Sequence, residues 1–231
     1  MLATTFADTQ LYRIGYPPNP WSFVPWEYAE RSTGRWDDPR GQYRVCYAGS
    51  TPEACFVEVL APFRADPGLV ADTTAVASDP RDGIYPTVPA GTLPSSWLDH
   101  RRLGVADARG SFVEIGHKDT IAALRPTFLT RALGFGLPDF DAAAIRQHEP
   151  RELTRDISRH IYELDLDGSP YAGIMYASRF GDGLGLWAIF ERAGDGDLEQ
   201  SSLLDNIRGQ AITPDNPDLA AALNLHGLAL G

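Results

Sequence analysis

The sequence predicts an α+β fold built as one domain, on three observations. Strand-like and helix-like segments occur together along the chain. No internal repeat, low-complexity tract or linker divides its 231 residues, and 43% hydrophobic with 10% aromatic residues is the composition of an ordinary globular protein. Twenty Lys+Arg stand against 31 Asp+Glu, a formal balance of −11. That balance excludes wholesale binding to nucleic acid or to an anionic membrane, because both need a broad basic surface. No apolar run approaches the roughly 18 residues of a membrane span. The opening MLATTFADTQ also lacks a basic region ahead of an apolar stretch, so a soluble cytoplasmic protein is expected.

Taken in order, Leu11 to Ile14 reads as a short strand. Gly15 to Trp26 holds four prolines, two tryptophans, Tyr16 and Phe23, which is incompatible with regular structure and suited to wrapping a pocket with aromatic faces. Gly34 to Gly41 reads as a turn and Tyr43 to Ala48 as a strand. Ser50, Thr51, Pro52 and Glu53 predict a helix start, with Ser50 capping, Pro52 in the first turn and Glu53 returning the capping bond. The helix runs to about Leu60 or Ala61. Its interior is apolar except for Glu58, whose neighbours three and four residues away are Ala54, Cys55, Ala61 and Pro62, so no local group pairs with that carboxylate. Asp66 to Gly110 reads as a long connection with one short helix around Trp97 to Leu103, covering a site or hiding short strands. Phe112 to Ile115 reads as a strand, Asp119 to Leu133 as a helix broken or kinked at Pro126, and Pro150 to Leu164 as another helix. Tyr171 to Tyr176 and Leu184 to Phe190 are apolar enough for buried strands joined by a loop over 177–183. The tail is polar from Arg192 until a helical stretch at Pro217 to Leu225.

Several familiar chemistries are not supported. Gly181 to Gly185 fits neither a phosphate loop nor a dinucleotide fingerprint and reads as a turn between strands. The five histidines form no metal-spaced pair, neither cysteine sits near one, and no metal site is expected. Cys46 and Cys55 read as buried hydrophobes. Ser178 lacks the Gly-x-Ser-x-Gly setting of a hydrolase elbow. Lys118 is the sole lysine against 19 arginines, so any anion site must be built from Arg forks and backbone amides. There remains a scattered set: Arg13, Arg35, Tyr47, Glu58 and Ser178. Each alone has a plain structural explanation as a surface pair, a core ring or a solvated helix face.

Their order and spacing are similar to the RES domain, a bacterial toxin family named for its Arg, Glu and Ser. The resemblance is carried by Tyr12, Arg13 and Ile14; Gly34, Arg35 and Trp36 with Pro39 soon after; Val45 to Ala48 followed by Ser50; Glu58, Val59 and Leu60; and Tyr171 to Arg179. It spans about residues 11 to 191, leaving 192–231 as a C-terminal extension of a single 1–231 domain. It implies a fold like that of ADP-ribosyltransferases and diphtheria-type toxins, with NAD in a central cleft. Arg35, Glu58 and Ser178 become the name-giving trio, with Arg13, Tyr47, Trp36 and Arg179 as substrate-binding companions. It implies an enzyme that degrades NAD as a substrate rather than a cofactor, by phosphorolysis with inorganic phosphate or by hydrolysis. One branch instead transfers ADP-ribose to a protein, and loss of catalysis would leave a nucleotide-binding module. A cognate protein antitoxin is the implied partner, and a homo-oligomer or heterocomplex stays open. Two departures stand out: Asp37 where Asn is common, and the long stretches 66–110 and after Glu191.

Glu58 suits the proposed chemistry, because cleaving nicotinamide from ribose passes through a positively charged sugar that a fixed carboxylate stabilises best in a low-dielectric site. A carboxylate among apolar neighbours needs hydrogen bonds or a cation nearby to keep its charge. Arg13 or Arg35 supplies one, or grips the diphosphate.

Overall fold

The computed structural model describes residues 1–29, 31, 33–74, 89–147, 149–196 and 198–231. In chain order the elements are β1 (Thr4–Gly15), α1 (Trp26–Ala29), β2 (Val45–Gly49), α2 (Pro52–Leu60), α3 (Pro67–Thr74), β3 (Thr92–Leu93), α4 (Ser96–Asp99) and β4 (Arg102–Glu114). Then follow α5 (Lys118–Gly134), α6 (Ala142–Arg146), α7 (Arg151–Tyr162), β5 (Asp165–Leu166), β6 (Ser169–Pro170), β7 (Gly173–Ser178), β8 (Gly181–Phe190), β9 (Leu204–Ala211), α8 (Pro217–His226) and β10 (Ala229–Leu230). No described helix is long and apolar enough to cross a membrane.

The architecture is mixed α/β around a closed barrel. β1 pairs along its whole length with β4, and at Tyr12↔Gly49 with β2. β2 continues to β8, β8 to β7, and β7 returns to β4 through Phe112, Val113 and Glu114, which closes the ring. Within the barrel every pairing is antiparallel except β4 with β7. β9 joins the N-terminal half of β4 on the edge that β7 uses further along. Closure leaves few unpaired strand edges.

Alternation along β2 sorts the layers. Val45 and Tyr47 face the helical side, where Trp36, Tyr43, Leu153, Ile157 and Phe190 pack with α5 and α7. Cys46 and Ala48 face the opposite cluster with Leu11, Trp21, Phe112 and Trp187. A third cluster binds α2 to α8 through Phe56, Val57, Leu60, Leu219 and Ala222. The parallel pair β10 with β3 ties the end of the chain beside it.

Several expectations change here. The predicted connection 66–110 contains most of a 13-residue strand, β4, of which the expected strand at Phe112 to Ile115 is only the end. Gly104 and Gly110 made the segment look like loop. They are there for close approach: a Cβ on Gly104 would lie 2.7 Å from Trp21 Nε1, and one on Gly110 would lie 2.7 Å from Ala172 Cβ. The short helix expected to reach Leu103 stops at Asp99, and the part of the connection over 75–88 lies outside the described residues. Pro126 is accommodated inside α5 without ending it. The polar tail hides β9. The cap of α2 is Thr51, not Ser50: Thr51 Oγ1 accepts from Ala54 N–H at 3.2 Å, while Ser50 Oγ accepts from Trp187 Nε1 at 2.9 Å. Glu53 therefore sits one place short of the reciprocal capping position.

Candidate functional site

α2 begins at its Thr51 cap and buries Ala54, Cys55, Phe56, Val57 and Leu60, which leaves Glu58 on the flank turned to the end of β7. There the β7–β8 pairing slips between Ala177 and Ser178, a bulge that re-aims the side chain. Ser178 is 2% exposed; its Oγ donates to Glu58 Oε1 at 2.5 Å and accepts from Phe180 N–H at 3.0 Å. The carboxylate with no local partner thus finds one 120 residues away. The single proton of Ser178 is committed to Glu58, so this hydroxyl orients the carboxylate and is not a free nucleophile.

These two groups line a cavity of about 620 Å³, and the turn before β2 supplies its opposite side. Tyr47 Oη donates to Asp37 Oδ1 at 2.8 Å and accepts from Trp36 N–H at 2.9 Å, while Gly34 N–H donates to Asp37 Oδ2. A Cβ on Gly34 would sit 2.5 Å from Tyr47 Oη, so this turn closes only around glycine. Asp37, the departure from the expected Asn, is the acceptor that both of these donors use. Burial first, and Asp37 second, hold the Tyr47 phenol well above its ordinary value.

Arg35 enters from the same turn and is anchored by Nη2 to the carbonyls of Arg146 at 3.1 Å and Gln147 at 3.4 Å. Arg151, at the start of α7, donates back to the Thr33 carbonyl. Burial lowers the Arg35 guanidinium from its ordinary value; Tyr176 and Glu58 act to raise it, Arg179 and Arg151 to lower it further. Arg13 is held by Nη1 to Cys46 Sγ at 2.7 Å and to the Tyr47 carbonyl at 3.4 Å, and its buried Nε has no partner among the described residues. Arg179 is exposed and lies over the Phe180 ring at 4.7 Å. Among the described residues the lining carries four arginines (Arg13, Arg35, Arg151 and Arg179) and one carboxylate, Glu58. A chain of formal charge −11 therefore presents a locally cationic cavity, the field an anionic ligand requires.

Of the residues singled out in the sequence, Arg13, Arg35, Tyr47, Glu58, Ser178 and Arg179 come together at this cavity. Trp36 does not: its side chain is 0% exposed, packed in the core and edge-on to Tyr176, and only its backbone N–H serves the site. The aromatic segment before it is also displaced from its expected role. Trp21 and Phe23 are core residues, Tyr16 is 64% exposed under the Arg101 guanidinium, and Trp26 lies beside Arg44. Sequence reasoning missed Tyr176, Phe180 and Arg151. Tyr176 had a usable signal, ending the expected strand two residues before Ser178. Arg151 had none. Both cysteines are buried and free as expected, though Cys55 forms part of the cavity wall. Among the described residues, no three His, Cys, Asp or Glu side chains gather to hold a metal ion.

A family model described as RES domain matches residues 10–208. Comparison with curated proteins gives no match. Among solved structures, the M. tuberculosis MbcT-MbcA toxin-antitoxin complex aligns with a TM-score of 0.45 and 13% identity, over 97% of this chain and 92% of that one. A likeness that loose fixes neither topology nor residue correspondence.

Proposed function

The chain belongs to the RES domain family, and from that premise we propose that it cleaves the nicotinamide–ribose bond of NAD in the cavity between α2 and β7. The observation that carries the reading is the Ser178–Glu58 pair, a single oriented carboxylate in a cavity otherwise lined by guanidinium groups. As nicotinamide departs with the bonding electron pair, the sugar carbon becomes cationic, and Glu58 stabilises it from a position set in advance by Ser178. Arg35, with Arg151 beside it, clasps the diphosphate, whose charge the acidic protein would otherwise repel. Tyr47 stacks on the nicotinamide end, and Arg13 stiffens the wall behind it. Inorganic phosphate or water then bonds to the sugar carbon, giving ADP-ribose 1″-phosphate or ADP-ribose with release of a proton. The finer fold reading, kinship with ADP-ribosyltransferases and diphtheria-type toxins, belongs to the same proposal. So does a toxin's role: an enzyme that drains NAD from the cell making it requires restraint, and a cognate protein antitoxin is the expected partner.

The test is to incubate the purified protein with NAD, with and without phosphate, and to identify products by mass. Loss of NAD with either product supports the proposal. Intact NAD under both conditions, with ligand retained, would mark a binding module instead. NAD labelled in the adenosine half and mixed with cell lysate separates breakdown from ADP-ribosyl transfer, in which the label stays on a protein band.

A further inference from the structure

Resting on that reading, we infer that His226 is a positioning residue, holding Glu58 and Ser178 in register from an element beyond the segment that defines the family. The family match ends at residue 208, and α8 begins at Pro217. α8 is capped by Asn216, whose Oδ1 accepts from Leu219 N–H at 3.0 Å, and is closed by Gly227 in the left-handed region at φ 64°. It packs along α2 through Leu219 and Ala222, both 0% exposed. That packing brings His226, 7% exposed, to the last turn of α2. Its Nε2 lies 2.7 Å from the carbonyl oxygen of Val57, the residue before Glu58. A carbonyl only accepts, so Nε2 carries the proton and donates. The acceptor lies in the last turn of α2, just ahead of the 3-10 turn over Ala61–Phe63.

The other contact of the imidazole reaches the opposite partner. The Phe180 ring meets it edge to face, centroids 4.9 Å apart and planes at 82°. Phe180 in turn donates its N–H to Ser178 Oγ and lines the cavity. One buried ring therefore touches the peptide that carries Glu58 and the residue whose amide holds Ser178. The 2.5 Å bond between the two side chains spans separate elements, and its length depends on how those elements are set. His226 sets both.

The 231-residue chain is compared as wild type, H226L, H226N and H226Q. NAD turnover is measured together with ADP-ribose binding by calorimetry and amide exchange at Phe180. Gln places an N–H near the position of Nε2, Asn falls short of it, and Leu removes the donor. H226L and H226N are expected to lower kcat about tenfold, with KM and ADP-ribose affinity kept within about twofold, because a small misplacement at the reacting centre costs rate more than binding. Exchange at Phe180 should quicken about tenfold in both variants, and H226Q should recover most of the loss. Wild-type kcat and Phe180 exchange in H226N, or equal loss in H226N and H226Q, overturns the inference. Parallel loss of binding and rate does the same, since it marks a space-filling role. If the wild type leaves NAD intact, the catalytic reading fails alone, and exchange at Phe180 still decides whether His226 holds the Ser178 turn.

Discussion

Glu58 is held by one short hydrogen bond from Ser178, and that bond divides the labour at the site: one side chain supplies negative charge, the other fixes where it sits. Glu58→Ala is expected to slow NAD loss on the order of 10²-fold while leaving the thermal melt intact, as for removal of a single preorganised stabiliser. Full turnover by the folded variant would remove the assigned role. Arg35 works differently, being anchored to carbonyls on one edge and facing the cavity. Arg35→Ala should raise KM for NAD about tenfold or more with a smaller change in kcat, read from initial rates over a range of NAD concentrations. An unchanged KM would place the diphosphate elsewhere. Glu58 was legible from sequence because a lone acid in an apolar helix interior demands a distant partner. Ser178 and Arg35 were legible only through the family resemblance. Trp36 misled because a tryptophan beside a site arginine looks like a stacking surface, whereas here its backbone amide serves the site and its ring fills the core.

At the scale of elements, Thr51 starts α2, the helix that carries Glu58, one residue later than Ser50 would. Thr51→Ala should lower stability by about 1 kcal/mol, measured by chemical denaturation, the usual cost of losing such a cap. Ser50→Ala should cost the Trp187 hydrogen bond instead and leave the helix start unchanged. The elements that the sequence revealed, α2, α5, α7, α8, β2, β7 and β8, are those with a local signal, an apolar run, a periodic face or a helix start, that a short window contains. The first part of β4 escaped because two of its buried residues, Ala106 and Ala108, are small and its glycines answer to Trp21 and Ala172 outside the strand, which no local window contains. β9 escaped because it is mostly exposed.

Across the whole molecule, an acidic chain encloses a basic cavity, and the titration of its interior sets a limit at high pH. Burial pushes the Cys55 thiol up to about 12 from an ordinary 9.0, and burial likewise raises Tyr43, Tyr47 and Tyr176. These groups are neutral when protonated, and the fold favours that form. Their contribution is fully present below their ordinary values and is lost as pH rises through the raised ones. The melting temperature should therefore hold to about pH 9 and fall steadily towards pH 12. A melt unchanged at pH 11.5 would contradict the burial of these groups. The barrel itself was not legible in the sequence, because its closing pairs join β1 to β4 and β4 to β7, contacts between segments that share no local pattern.

That ring closure also governs when the cavity can first exist. The cavity draws on Arg13 near one end of the barrel segment and on Phe180 near the other, and β2 cannot be flanked until β8, ending at Phe190, has been made. A nascent chain still lacking β8 on the ribosome has Glu58 but no walled cavity around it. Translation interrupted before β8 leaves Glu58 without Ser178 and Phe180 around it only if those residues have not yet been made, and leaves the wall they stand on without its β8 partner in every case, so the proposed NAD cleavage is expected only from chains extended past Phe190.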